Sequence, residues 1–122
     1  VVWVSNHGGR MLESCYSSLK ALVEIKKNIK QNIIFFLDSG VRSGSDIIKA
    51  FGLGANVVGI GRPAIYGLIL AGRKGVNHML TLLREELETA MINSSVSKIS
   101  DISNQNIIKS RNFFLFLLII FC

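Results

Sequence analysis

Apolar residues fall along this chain in short continuous runs and in longer stripes, and the two kinds alternate. Val1 to Val4 is a continuous run rich in β-branched residues. Such a run predicts a strand buried on both faces, as in a parallel sheet. Ile33 to Leu37 repeats the pattern, and Asn56 to Ile60 gives a third strand. Between the first two, Leu19, Leu22 and Val23 take helical spacing, with Ile25 and Ile29 on the same apolar side. Between the second and third, a helix capped by Ser43 or Ser45 runs through Ile47, Ile48 and Ala50 to Phe51 or Leu53. Gly52 and Gly54 end it. A short helix is predicted over 64–71. The longest follows over 76–92, where Val76, Leu80, Leu83, Leu87 and Met91 form one stripe. A weak helix is predicted over 100–109, and Phe113 to Cys122 are almost wholly apolar.

Strand, loop, helix, strand, loop, helix, strand is the rhythm of βα units in a parallel sheet, so the fold class is α/β. Each strand ends in a glycine-containing polar loop. In barrels and in open doubly wound sheets alike, the carboxyl ends of the strands carry the active site. A purely structural turn would have no need of the His, Asp and Arg residues found there.

Composition narrows the picture. The chain has 122 residues, 49% of them apolar and 18% charged. That is enough apolar surface to offset ordering entropy, which excludes a disordered chain. Cys15 and Cys122 lie far apart and form no CxxC pair, which excludes a disulfide scaffold and favours a reducing compartment; the cytoplasm is the default expectation. The net charge of +6 permits an anionic ligand. The basic residues are scattered, however, and Lys26, Lys27 and Lys30 read as one solvated helix face. No aromatic platform alternates with them, so nucleic acid is not expected as a partner. The apolar tail of ten residues would rise only about 15 Å as a helix, against about 30 Å of bilayer hydrocarbon, so a membrane span is not expected either. The opening has no initiator Met, no basic n-region and no cleavage site. It reads as a strand entered midway, and the expectation is a piece of a larger fold.

Three loops carry the candidate chemistry. In Ser5-Asn6-His7-Gly8-Gly9-Arg10, a neutral imidazole can take a proton near neutral pH, and a guanidinium three residues on can grip a carboxylate. The bland alternative is a loop histidine bonded to backbone beside a solvated arginine. Asp38-Ser39-Gly40-Val41-Arg42-Ser43-Gly44 and Gly61-Arg62-Pro63 resemble a split phosphate site. There, N–H groups of tight turns and a helix start favour an anion, with Arg42 and Arg62 adding charge. Two tight turns with surface arginines are the alternative. Neither loop is a Walker A or dinucleotide motif, and no metal-ligand spacing occurs.

Taken together, Ser5-Asn6-His7-Gly8-Gly9-Arg10-x-Leu12, Asp38-Ser39-Gly40-Val41-Arg42-x-Gly44-x-Asp46, Lys49-Ala50-x-x-Leu53-Gly54-Ala55 and Gly59-x-Gly61-Arg62-Pro63 resemble the FMN-dependent 2-hydroxy-acid oxidases and dehydrogenases. Glycolate oxidase, L-lactate oxidase and dehydrogenase, and flavocytochrome b2 are members. Gly75-Val76, Leu83-Arg84-Glu85-Glu86 and Met91 also fit the family's closing helix. The similarity runs from residue 1 to about residue 103.

The resemblance implies the C-terminal part of an eight-stranded α/β (TIM) barrel, with three strands present and five missing. Residues 1–111 would be this truncated domain, and 112–122 a divergent apolar tail. It implies FMN as cofactor and a small 2-hydroxy acid as substrate, oxidised to a 2-keto acid. It also implies that the full-length members are homo-oligomers. His7 would be the base and Arg10 would bind the substrate carboxylate. Ser5 would touch the flavin. Asp38, Ser39, Gly40, Val41 and Arg42, with Gly61 and Arg62, would hold the ribityl chain and phosphate.

Departures from the family pattern are visible. Met11-Leu12-Glu13 stands where Gln-Leu-Asp is common, and Ser39 replaces the commoner second glycine. The tyrosines framing the substrate, the lysine near the flavin ring and the carboxylate partner of the base belong to the family's absent first half. No C-terminal Ser-Lys-Leu address is present. The isolated chain is therefore expected to turn over little or no substrate. A non-catalytic FMN- or phosphate-binding remnant, completed by a partner chain, is the rival reading. An FMN-linked isomerase is a third, disfavoured by the His7 and Arg10 pair.

Overall fold

The computed structural model describes residues 1–29 and 31–103. Strand β1 (Val2–Val4) is followed by a 3-10 turn at His7–Gly9 and helix α1 (Ser18–Asn28). Strand β2 (Phe35–Leu37), helix α2 (Gly44–Gly52), strand β3 (Val57–Val58) and helix α3 (Arg62–Asn93) follow, and a 3-10 turn at Ile99–Asp101 ends the described chain. The three strands form one parallel sheet in the order β1-β2-β3. Val2 pairs with Phe35, Trp3 with Phe36 and Val4 with Leu37, while Phe36 and Leu37 pair with Val57 and Val58. The α/β expectation holds. The strands are shorter than the apolar runs that announced them.

Successive strand residues point to opposite faces. On one face Val4, Phe35 and Leu37 are buried with Leu22 of α1, Ala50 of α2 and Ala55. Leu19, Ile25 and Ile29 pack against them, as the helical stripe predicts, but Ala21 joins them in place of Val23. On the other face the row Trp3, Phe36, Val57 is covered by no helix among the described residues. Trp3 is 65% exposed, and its ring lies 5.7 Å from that of Phe36. Burial on both faces, expected from the sequence, is therefore met on one only. The bare face is the one that closure of a barrel would turn inward.

Helix α2 starts at the Ser43 cap rather than at Ser45. The Ser43 hydroxyl accepts from the Asp46 N–H, and the Asp46 carboxylate accepts from the Ser43 N–H in return, a capping box. Val41, Ile47 and Leu83 form a second cluster with Phe51, Ile60, Met79 and Leu87 around it. Gly44 is fixed by this packing, since a Cβ there would collide with the backbone of Glu86 and Leu87.

Helix α3 is one run broken inside. Ala71 (φ −151°, ψ 28°) and Gly72 (φ 55°, ψ −138°) are not helical, so 62–70 and 73–93 are two arms. The arms fold together at Gly67 and Gly75, whose backbones leave no space for a Cβ on either. The sequence divides this region at nearly the same place. It errs in the stripe: Leu80 is exposed and Met79 packs inward instead. Of the helix predicted over 100–109, residues 99–101 form only a 3-10 turn, and 104–109 lie outside the described residues, as does the apolar tail.

Candidate functional site

All three parallel strands end at one edge of the sheet, which brings the three loops together. The first loop is folded by its own polar side chains. Ser5 Oγ accepts from the His7 N–H at 3.1 Å, and Asn6 Oδ1 accepts from the Gly9 N–H at 3.2 Å. His7 takes φ 54°, a left-handed conformation that histidine visits more readily than most side chains. His7 and Arg10 are both exposed.

The second loop is tied to the first. Ser39 Oγ accepts from the backbone N–H of Asn6 at 3.3 Å and of Gly8 at 3.2 Å. It donates to Asp38 Oδ1 at 2.7 Å, while the Trp3 indole N–H donates to Asp38 Oδ2 at 3.2 Å. Arg42 Nη1 turns back to donate to the Val41 carbonyl at 2.7 Å. The Val41 side chain is buried in the core, so only its backbone faces the loop edge.

Two helices begin at this edge, and their N-termini differ. That of α2 already holds carboxylates. Asp46 accepts from the Arg42 and Ser43 N–H groups at 3.1 and 3.2 Å, and Glu86 Oε2 accepts from the Gly44 N–H at 2.8 Å. Burial acts to raise the Asp46 pKa. The Arg42 N–H, the Ser43 hydroxyl, the Lys49 charge and the Ser43 N–H outweigh it and hold Asp46 below the ordinary carboxylate value. Helix α3, by contrast, follows Gly61 with no side-chain cap, and Pro63 lies in its first turn. The Ala64 N–H donates to the Gly61 carbonyl at 3.0 Å and Pro63 has no N–H, so the α3 start carries no side-chain cap but few free N–H groups, while the α2 start is filled by carboxylates.

The third loop completes a cleft of about 410 Å³. Ser5, His7, Arg10, Asp38, Ser39 and Gly40 line it, together with Val41, Arg42, Gly61 and Arg62. Every residue to which the resemblance gives a site role therefore lines one cleft, while Asn6, Gly9, Ser43, Gly44 and Pro63 of the same loops do not. The Arg62 guanidinium lies over the first loop: a Cβ on Gly8 would be 3.3 Å from Nη2. Among the described residues, none of Arg10, Arg42 and Arg62 pairs with a carboxylate. Trp3, Gly59, Ile60 and Ile65 also line the cleft and were missed. Trp3 was findable, because it lies two residues before Ser5 on the same strand face.

A parallel sheet with a polar, arginine-lined cleft at its carboxyl edge defines an α/β protein whose site lies where such folds carry theirs. Comparison with known proteins narrows the class. Residues 1–109 match the family model described as FMN-dependent dehydrogenase, and the chain belongs to that family. It is 46% identical over 101 residues to a 2-hydroxyacid oxidase of Dictyostelium discoideum, which covers 83% of this chain and 26% of that protein. It is 43% identical over 106 residues to an L-lactate dehydrogenase of Alcaligenes faecalis, covering 87% of this chain and 28% of the relative. Among solved structures, (S)-mandelate dehydrogenase, described as a monotopic membrane protein, superposes with a TM-score of 0.81 at 37% identity. That match covers 86% of this chain and 28% of the other. The chain thus spans little more than a quarter of the length of these relatives, and its sheet is a three-strand sector of their barrel. FMN is the family's cofactor. Among the described residues no helix is long and apolar enough to cross a membrane.

Proposed function

We propose that this chain carries the phosphate-binding and substrate-binding edge of an FMN-dependent oxidoreductase that converts a small 2-hydroxy acid to a 2-keto acid. One observation carries the reading: a base, a carboxylate and three arginines with no acidic partner among the described residues converge on a single cleft. Residues 1–111 are the piece of the oxidoreductase domain, and 112–122 a tail that departs from it.

The residues fit the cofactor. At the start of α3 only the Arg62 N–H precedes Pro63, which has none, and the Ala64 N–H donates to the Gly61 carbonyl, so the phosphate would be held chiefly by the Arg62 and Arg42 guanidiniums. Asp38 presents a carboxylate to ribityl hydroxyls, with Ser39, Gly40, Val41 and Gly61 lining the chain's path by backbone. Ser5, which lines the same cleft, would touch the flavin. When bound, FMN accepts the two electrons that leave the substrate. Arg10 holds the substrate carboxylate by paired charge-assisted bonds. His7, three residues away on the same loop, takes a proton from the hydroxy-acid centre.

The isolated chain is proposed to turn over little or no substrate. Among the described residues nothing hydrogen-bonds the His7 imidazole, so its orienting partner belongs to the rest of the barrel. FMN titration of the 122-residue chain, followed by flavin fluorescence, tests this. Weak binding is expected, reduced about tenfold or more by Arg62→Gln, the worth of one charge-assisted hydrogen bond. No binding, or binding indifferent to Arg62→Gln, contradicts the phosphate site. Complete anaerobic bleaching of the flavin by a 2-hydroxy acid would contradict the need for the remaining strands.

A further inference from the structure

Ser39, which stands where a second glycine is commoner in the family, is also the most connected point of the cleft. Ser39 has φ 74°, a conformation L-residues rarely adopt and glycine adopts freely. A serine there needs a reason. A hydroxyl has one proton to give and two lone pairs. The Ser39 hydroxyl donates to Asp38 Oδ1 at 2.7 Å. Its oxygen receives the Asn6 N–H at 3.3 Å and the Gly8 N–H at 3.2 Å, which only donate, and the Ser5 hydroxyl lies 3.4 Å away at the same junction. These two amides flank His7. The Ser39 carbonyl in turn receives the Ser18 hydroxyl at 3.5 Å, which ties the same residue to the start of α1.

We infer that Ser39 is a positioning residue: its hydroxyl fastens the His7 loop to the Asp38 loop, so that the base is held in register with the cofactor-binding edge. The inference rests on the function proposed above for what the two loops bind, but the fastening itself is a property of the chain alone. Without the hydroxyl, the Asn6 and Gly8 amides lose their acceptor, the Ser5 hydroxyl loses its neighbour on the second loop, and the His7 N–H keeps only its bond to Ser5 Oγ. Asp38 keeps the Trp3 indole but loses its closer donor. Occupation of the Asp38 loop then no longer reaches His7.

Backbone and hydroxyl effects separate through two variants. Ser39→Gly suits the positive φ but removes the hydroxyl. Ser39→Thr keeps the hydroxyl on a less suitable backbone. The measurement is residue-resolved amide hydrogen exchange on the 122-residue chain. In Ser39→Gly the Asn6 and Gly8 amides are expected to exchange about tenfold faster or more. The Val2 and Asp38 amides, bonded to the Ile34 and Val4 carbonyls, should keep their rates. In Ser39→Thr the Asn6 and Gly8 protection is expected to remain. Unchanged rates at Asn6 and Gly8 in Ser39→Gly, or an equal rise at Val2 and Asp38, would overturn the inference. So would loss of the protection in Ser39→Thr. A second arm adds FMN: it should slow the Gly8 amide in the unaltered chain and not in Ser39→Gly, and equal slowing in both would overturn the coupling. If FMN binds neither, the proposed function fails, while exchange in its absence still decides the role of Ser39.

Discussion

At the scale of single residues, the cleft is organised by which groups are already satisfied and which are not. Asp46 is satisfied: it closes the α2 cap and accepts from the Arg42 N–H, so it holds the second loop in shape rather than facing a ligand. Its pKa is lowered on folding, so the folded state favours its ionised form. The stability this confers is present above the unfolded carboxylate value, about pH 4, and is lost as pH falls through the lower folded value. Asp46→Asn should therefore flatten the acid limb of stability while leaving the neutral region the more stable one. Urea midpoints measured from about pH 3 to pH 7 check this. An acid limb as steep in the variant as in the unaltered chain would assign it to other carboxylates. Arg10, Arg42 and Arg62 are the opposite case, with no carboxylate partner among the described residues. Their place at one edge was legible because each follows a predicted strand. The inward, core-bound pose of Val41 was not legible, since one apolar residue in a polar loop carries no periodicity.

At the scale of elements, helices read more faithfully than strands. The α1 stripe and the α2 cap were visible because helical spacing and capping are local. Strand β3 shrinks from five expected residues to Val57–Val58, because a strand exists only where a neighbour pairs with it, and β3 has one neighbour among the described residues. The α3 stripe slipped at one position. Met79 stands four residues before Leu83, as Leu87 stands four after, and this row meets α2 in place of Leu80. That contact depends on Gly44, where α2 comes so close to α3 that hydrogen is the only side chain that fits. Sequence alone counts this glycine as part of an anion loop; the structure gives it a packing role. Gly44→Ala is expected to cost about 1–3 kcal/mol or more by overpacking against backbone. Thermal unfolding measures the loss, and a melting temperature within error of the unaltered chain would contradict the close approach.

At the scale of the whole molecule, the sheet tells against self-sufficiency. Trp3, Phe36 and Val57 form an apolar row that no helix covers, and β1 and β3 each leave one edge unpaired among the described residues. Parallel sheets are normally covered on both faces, and free edges invite pairing with other chains. The sequence announced an incomplete barrel by its strand count, but not which face would stay bare, because continuous apolar runs do not distinguish inside from outside. The same incompleteness explains how a cleft can hold the expected base and cations while the proposal assigns the isolated chain little turnover.

His7 and Arg10 are proposed to perform the chemistry once the barrel is whole. The most direct test replaces the matching C-terminal segment of the Dictyostelium 2-hydroxyacid oxidase with residues 1–103 of this chain and measures FMN-dependent oxidation of 2-hydroxy acids. The hybrid is expected to be active. His7→Gln should lower kcat about a hundredfold or more with FMN still bound, and Arg10→Lys should act on KM as the bidentate grip is lost. A folded, FMN-loaded hybrid with no turnover, or one whose turnover survives His7→Gln, would contradict the claim.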